Sequence, residues 1–227
     1  MAGSDRGVLF DVDGTLVDTN YLHTLAWWRA LRDNGEQVHM SSIHRVIGMG
    51  SDRLVEELLG RPEPAASDGH KEQFRRLRDE MAAFPAAAAI LTEVARRGAK
   101  VVLASSANEE DLEAMREAIG ADEAIDQFTS SKDVEESKPS PDIFAVALEA
   151  SGLDAENAMV VGDTVWDVKA ARKSGLPCVC VLTGGISRQE LEDAGAVAVY
   201  NDVGELLEQL DDSPLGKLLQ GREEARA

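Results

Sequence analysis

Residues 7–19 read GVLFDVDGTLVDT, a short apolar run followed by two carboxylates two positions apart and then a Gly-Thr pair. The apolar run predicts a buried strand over residues 7–10. Asp11 and Asp13 then lie at the carboxyl end of that strand, the edge at which open α/β sheets bind their ligands. If the backbone stays extended, both carboxylates point to the same side, and Gly14 permits an unusual turn directly after them. The segment therefore predicts a ligand site at a strand end.

The rest of the chain alternates between short apolar runs and helical patterns. Runs rich in Val and Leu predict further strands at residues 100–104, 158–161, 178–182 and 196–200. One of the helices between them is bounded by Ser140 as N-cap and by Gly152 at its end. Nearly continuous apolar strands separated by helices are typical of an α/β fold, a doubly wound, Rossmann-like parallel sheet.

One region breaks this alternation. From about residue 19 to residue 84 the patterns are helical and no strand is evident, although residues 61–69, with two prolines, are predicted to form a loop. We therefore expect an inserted, all-helical cap at residues 19–84. The α/β core would then be discontinuous, formed by residues 1–18 and 85–227.

Charge and composition exclude several classes of protein. The formal net charge of −19 repels phosphate backbones and anionic lipid heads, so we expect neither a nucleic-acid partner nor a membrane. An anionic small substrate is still possible if a local cation offsets this field. No apolar run is long enough to span a bilayer, and residues 1–6 do not resemble a secretory signal. Cys178 and Cys180 share one face of a predicted strand and are expected to be buried thiols. We expect a cytoplasmic protein, a monomer or weak dimer.

Four motifs in order carry a resemblance to a known family. They are DVDGTLVD at residues 11–18, VVLASSAN at 101–108, KPSPD at 138–142 and GDTVWD at 162–167. Together they resemble the haloacid dehalogenase superfamily in its phosphatase and phosphomutase branch, with a helical cap after the first motif. The 33 positions from Ser105 to Lys138 leave room for one helix and one strand, so no second cap is expected. These motifs are specific for the chemistry and say little about the substrate.

The resemblance implies a phosphoryl-transfer role for each motif. Asp11 would be the nucleophile that forms an aspartyl-phosphate, and Asp13 the general acid and then the general base. A halide leaves without a proton, so Asp13 favours phosphoryl transfer over dehalogenation. Ser105 and Ser106 would bind phosphate oxygens, and Lys138 would balance the remaining phosphate charge.

The resemblance also implies a Mg²⁺ ion that bridges the nucleophile and the phosphate. Hard oxygen ligands would come from Asp11, from the main-chain carbonyl of Asp13, and from Asp163. Asp167, four residues later, would be a further ligand or a supporting residue. In the cap, His23 and Arg53 are candidates for substrate contact.

The expected function is a Mg²⁺-dependent phosphatase that hydrolyses a small phosphorylated metabolite, similar to phosphoglycolate or a sugar phosphate. A sugar phosphomutase of the same superfamily is the alternative enzyme. The arginine that such a mutase carries in its cap aligns with Ser51 here, which weighs against that alternative. A phospho-accepting receiver module is a third hypothesis; the helical insert and Asp13 argue against it, because a receiver needs no acid for a leaving group.

Overall fold

The structure is a computed structural model that describes residues 5–130, 140 and 142–220. Its centre is a parallel sheet of six strands in the order β3-β2-β1-β4-β5-β6. The strands are β1 (Gly7–Phe10), β2 (Lys100–Ala104), β3 (Gln127–Thr129), β4 (Ala158–Gly162), β5 (Cys178–Val181) and β6 (Ala198–Tyr200). The predicted doubly wound α/β fold is confirmed. The order of the strands reverses at β1, so the crevice between the carboxyl ends of β1 and β4 is the expected ligand site.

Eleven α-helices are present in the described residues. They are α1 (Asn20–Asp33), α2 (Met40–His44), α3 (Ser51–Leu59), α4 (Pro64–Arg75), α5 (Ala87–Arg96), α6 (Glu109–Ile119), α7 (Asp142–Ser151), α8 (Val165–Lys173), α9 (Arg188–Ala194), α10 (Val203–Glu208) and α11 (Pro214–Gln220). None of these described helices has the length and apolarity that crossing a membrane requires.

Helices cover both faces of the sheet. Apolar side chains of α5, α6, α10 and α11 pack on one face, and those of α7, α8 and α9 pack on the other. Strands β1, β2, β4 and β5 contribute buried side chains to both clusters, which explains their nearly continuous apolar sequences. The edge strand β3 is only partly buried. The cysteines of β5 are buried as predicted, with their Sγ atoms 3.8 Å apart.

The segment between β1 and α5 has its own small apolar core. Side chains from α1, α2, α3 and α4 form it, and its buried members include Trp27, Leu31, Ile43 and Leu54. The segment contributes no strand to the sheet. One part of the helical prediction is wrong: residues 61–69 do not form a continuous loop, because α4 begins at Pro64. Proline is well accommodated at the first position of a helix, where its missing N–H is not needed.

The strand ends differ slightly from the predicted ones. The final strand begins at Ala198 rather than at residue 196, and Leu182 starts a 3₁₀ turn instead of ending β5. The helix and strand expected between Ser105 and Lys138 are α6 and the short β3. Lys138 itself lies outside the described residues.

Candidate active site

A tight turn after β1 forms the floor of the site. Asp11 extends the pairing of β1, since its N–H donates to Val161 O at 2.9 Å, and the chain then turns at once. Gly14 has a φ of +76°, and a Cβ there would lie 2.3 Å from Asn20 Nδ2 and 2.4 Å from Asp163 Oδ2. Glycine is thus required both by the backbone conformation and by the close approach of two side chains.

Three buried carboxylates meet at the carboxyl ends of β1 and β4. One oxygen from each of Asp11, Asp163 and Asp167 lies within 4.8 Å of the others. All three residues are buried, and Asp163 is completely inaccessible to solvent. Such a cluster of hard oxygen atoms is the donor set that Mg²⁺ prefers, and three negative charges out of water require a cation beside them. The residues present therefore fit a divalent metal ion.

Asp163 is held by two hydrogen bonds, one on each carboxylate oxygen. Thr15 Oγ1 donates to Oδ1 at 2.9 Å, and Asn20 Nδ2 donates to Oδ2 at 2.7 Å. Burial raises the pKa of the Asp163 carboxyl well above its ordinary value, and the charges of Asp167 and Asp11 raise it further. The two hydrogen bonds lower this pKa, because they favour the ionised carboxylate.

Asp167 fixes the start of α8. Its Oδ2 accepts from the Thr164 N–H at 3.0 Å and from Thr164 Oγ1 at 2.6 Å, while Thr164 Oγ1 accepts from the Asp167 N–H at 3.3 Å. This reciprocal pair is a capping box. Asp167 therefore has a structural task in shaping the loop that presents Asp163, besides the charge that it adds to the cluster.

Asp13 has different neighbours from Asp11. Its Oδ1 accepts from Thr19 Oγ1 at 2.7 Å and lies 3.1 Å from His23 Nε2, and its Oδ2 accepts from Ser105 Oγ at 3.2 Å. Asp13 thus links the turn after β1 to the helix α1 and to the end of β2. It remains partly accessible, with about a fifth of its side chain exposed.

The loop after β2 carries two buried hydroxyls, and the first of them contacts Asp13. Ser105 is fully buried, and its Oγ accepts from the Ala107 N–H at 3.0 Å while donating to Asp13. Ser106 Oγ is also buried, and it has no hydrogen-bond partner among the described residues. A buried hydroxyl of this kind, beside a loop of backbone N–H groups, is suited to an anionic ligand.

A glycine loop after β5 closes the far side of the acid cluster. Thr183 Oγ1 donates to Gly14 O at 2.5 Å, and a Cβ on Gly184 would lie 2.0 Å from Asp163 Oδ2. The helical segment meets the same loop, because His44 Nε2 lies 3.0 Å from Gly184 O.

The two residues of the helical segment that were predicted to contact substrate, His23 and Arg53, lie in different places. His23 contacts Asp13 directly. Arg53 lies half-buried in the first turn of α3, after a loop that meets the start of α8. In that loop, a Cβ on Gly48 would lie 3.0 Å from Thr164 Oγ1 and 3.2 Å from Trp166 Cδ1, so the loop packs against the start of α8.

Asn20 and His70 are among the residues at the site that sequence reasoning missed. Asn20 is the first residue of α1 and reaches Asp163 across 143 positions of sequence. His70, in α4, lies with its Nε2 3.1 Å from His23 Nδ1. The buried residues of α4 are Ala66, Ser67, His70 and Phe74, a spacing of three and four that could have marked His70 as facing inward.

Comparisons with known proteins agree with this geometry. A family model described as haloacid dehalogenase-like hydrolase matches residues 6–175. The phosphoglycolate phosphatase of Rhodospirillum rubrum is 28% identical, over 88% of this chain and 89% of its own. The crystal structure of a hydrolase from Pseudomonas syringae has a TM-score of 0.86 and 32% identity, covering 92% of this chain and 99% of that one. A variant of CbbY from Rhodobacter sphaeroides, in complex with xylulose-(1,5)bisphosphate, has a TM-score of 0.73 and 28% identity, covering 89% and 96%.

Proposed function

This chain belongs to the haloacid dehalogenase-like hydrolases and is a phosphoric monoester hydrolase among them; from this premise we propose that it is Mg²⁺-dependent and acts on small phosphorylated metabolites. The observation that carries the proposal is the meeting of Asp11 with Asp163 and Asp167 at one strand edge, with Asp13 and Ser105 beside them. Phosphoglycolate and sugar phosphates are the proposed substrate classes, supported by the names and ligands of the relatives.

We propose that Asp11 and Asp13 divide the chemistry between them. A carboxylate oxygen of Asp11 attacks the phosphorus, the ester P–O bond breaks, and the leaving oxygen takes a proton from Asp13. Asp13 then removes a proton from a water molecule that attacks the same phosphorus. The bond between phosphorus and the Asp11 oxygen breaks, inorganic phosphate leaves, and Asp11 is regenerated as a carboxylate.

We propose that Asp11, Asp163 and the main-chain carbonyl of Asp13 hold Mg²⁺, with Asp167 adding its charge and fixing the loop of Asp163. When bound, the ion would neutralise the repulsion between the Asp11 carboxylate and the phosphate. Ser105 and Ser106 would donate to phosphate oxygens, and Lys138 is proposed to balance the remaining charge. These groups would offset the repulsion that a chain of net charge −19 exerts on an anionic substrate.

We propose that residues 19–84 form a cap over this site, on a core of residues 1–18 and 85–227. The small apolar core shared by α1–α4 supports treating them as one unit. Ion pairs from Arg45 to Glu190 and from Arg78 to Asp111 join the segment to the rest of the chain. Such a cap excludes water and contributes specificity, and we propose His23 and Arg53 as its contributions to substrate contact.

A cytoplasmic location and a monomeric or weakly dimeric state are also proposed. In the described residues the large exposed apolar side chains, Tyr21, Met40, Phe128 and Val197, are few. The buried thiols of β5 suit a reducing compartment.

A screen of phosphorylated metabolites for release of inorganic phosphate tests the proposed function. Phosphoglycolate and a set of sugar mono- and bisphosphates should be compared with Mg²⁺ present and after chelation. We expect release that stops in excess chelator and returns when Mg²⁺ is restored. Full activity in excess chelator would show that the metal assignment is wrong.

The phospho-enzyme is expected to transfer its phosphoryl group to water rather than to a second sugar oxygen. A mutase must hold a bisphosphate while it reorients, and the cap position at which such enzymes carry an arginine is Ser51 here. The measurement follows isomer formation and phosphate release together by NMR, with sugar monophosphates and catalytic bisphosphate. Isomerisation faster than hydrolysis by about tenfold, ~1.4 kcal/mol in barrier height, would make the protein a mutase.

The hydrogen bond from Asn20 to Asp163 is expected to strengthen metal binding. Asn20→Ala removes a donor to a buried carboxylate, and losing such a supporting contact typically weakens metal affinity by about 10-fold or more. Titration calorimetry with Mg²⁺ measures the change without substrate. The matched control is Asn34→Ala at the other end of α1, where Nδ2 donates to Ala30 O and touches no site residue. Equal Mg²⁺ affinities in the two variants would show that Asn20 does not support metal binding.

A further inference from the structure

A second histidine, His70, contacts the ring nitrogen of His23 that does not contact Asp13, and the proposed mechanism gives it no role. His70 is buried in α4, and its ring stacks on Trp27 with centroids 4.2 Å apart and planes at 13°. Its Nε2 lies 3.1 Å from His23 Nδ1, and the other ring nitrogen of His23 lies 3.1 Å from Asp13 Oδ1. The three side chains thus form one line of contacts from the interior of the helical segment to the proposed acid and base.

The chemistry of Asp13 fixes the direction of these hydrogen bonds. Oδ1 of Asp13 already accepts from Thr19, and the proton that Asp13 exchanges is proposed to reside on Oδ2, so Oδ1 is an acceptor whether or not that proton is present. His23 Nε2 must therefore carry the hydrogen that it donates to Oδ1. A neutral imidazole has one N–H, which leaves His23 Nδ1 as an acceptor. His70 Nε2 must therefore be the donor to it.

The buried edge of His70 supports the same assignment. Its Nδ1 is inaccessible and has no hydrogen-bond partner among the described residues. If that nitrogen carried a hydrogen, the hydrogen would be a buried donor without an acceptor, which proteins rarely tolerate. Burial and the neighbouring His23 lower the pKa of His70 well below its ordinary value, which favours the neutral ring with a single hydrogen. The contact to His23 and the unpartnered Nδ1 place that hydrogen on Nε2.

We propose that His70 is a positioning residue that holds His23 in the Nε2–H tautomer, so that His23 and Thr19 occupy Oδ1 of Asp13 and its Oδ2 exchanges the proton with the leaving group. The inference rests on the proposed role of Asp13 as acid and base. Its geometric basis is that Oδ1 already accepts from Thr19 Oγ1 at 2.7 Å, while Oδ2 faces Ser105 Oγ, the proposed phosphate ligand.

The tautomers can be measured in the unaltered protein. Long-range proton–nitrogen NMR distinguishes a protonated from a bare ring nitrogen, and the chain has four histidines to assign. At pH 8 we expect the hydrogen on Nε2 in both His23 and His70. A hydrogen on Nδ1 of either ring would overturn the proposal without the need for any variant.

Two substitutions of His70 separate the effect of its hydrogen-bond donor from the effect of its aromatic ring. His70→Phe keeps an aromatic ring against Trp27 and removes the donor, whereas His70→Gln loses the ring and carries an amide donor at a similar reach. With Phe we expect His23 to leave the pure Nε2–H form and kcat to fall by about tenfold, with KM changed much less. With Gln we expect both the tautomer and most of kcat to be retained.

The possible failures of this test are distinguishable. If the Phe variant keeps the His23 tautomer and kcat, or if both variants lose kcat while the tautomer is unchanged, His70 only packs and the proposal is overturned. A tautomer change without a change in kcat overturns the link to proton transfer. If no metabolite releases phosphate while the tautomers are as expected, the proposed function fails and the tautomer assignment stands.

Discussion

Replacing Asp11 with Asn is expected to abolish both phosphate release and covalent labelling of the protein. The amide keeps the shape of the side chain at the end of β1 and lacks the negative oxygen that attacks phosphorus. Loss of a covalent nucleophile typically lowers kcat by about 10⁴-fold or more, which corresponds to roughly 5 kcal/mol in barrier height. Rapid acid quench followed by mass spectrometry should detect one phosphoryl group on the unaltered chain and none on the variant.

Two further variants make this result specific. Asp18→Asn changes an exposed carboxylate in the same segment and should leave turnover unchanged. Asp13→Asn should still accept a phosphoryl group from a substrate whose leaving group needs no proton, and should then accumulate the phospho-enzyme because no base activates water. Near-native turnover of Asp11→Asn would exclude a covalent intermediate on that residue.

The features that could be predicted from the sequence are those whose residues lie close together along the chain. Asp11 and Asp13 could be identified because a strand, two acids and a glycine lie within eight consecutive positions. The parallel sheet could be predicted because each apolar run can be recognised on its own. This sheet brings the ends of β1, β2 and β4 to one edge. That geometry places Ser105 and Asp163 beside Asp11 and Asp13 without any further information.

The contacts made by the helical segment could not be predicted in this way. Asn20 reads locally as an ordinary residue at a helix start, and its contact with Asp163 exists only once α1 has docked. His70 lies in a charged stretch whose average polarity suggests exposure, yet packing of α4 against α1 buries it. Helix docking depends on shape complementarity between surfaces that are distant in sequence, and short-range patterns do not contain it.

Replacing Asp163 with Asn is expected to weaken Mg²⁺ binding by about 100-fold or more, because it removes one of the three charges that attract the ion. The Ser105→Ala variant is the control, because that hydroxyl is proposed to meet phosphate and lies outside the acid cluster. Calorimetric titration of both variants with Mg²⁺, without substrate, makes the comparison. An Asp163→Asn protein that binds Mg²⁺ like the unaltered chain would exclude this carboxylate as a ligand.

In the metal-free protein, the same substitution is expected to leave the stability of the fold unchanged or to increase it. The folded-state pKa of Asp163 lies above its unfolded value, mainly because of burial. Its ionised form therefore disfavours folding, and the metal-free chain loses stability as pH rises above the unfolded value. Asn carries no charge, so metal-free Asp163→Asn should melt at an equal or higher temperature at pH 8, and its Tm should depend less on pH.

Added Mg²⁺ should raise the Tm of the unaltered chain and leave that of the variant almost unchanged, because only the former gains binding free energy on folding. A variant that melts lower than the unaltered chain without metal would show that Asp163 supports the fold through its hydrogen bonds more than its charge opposes it.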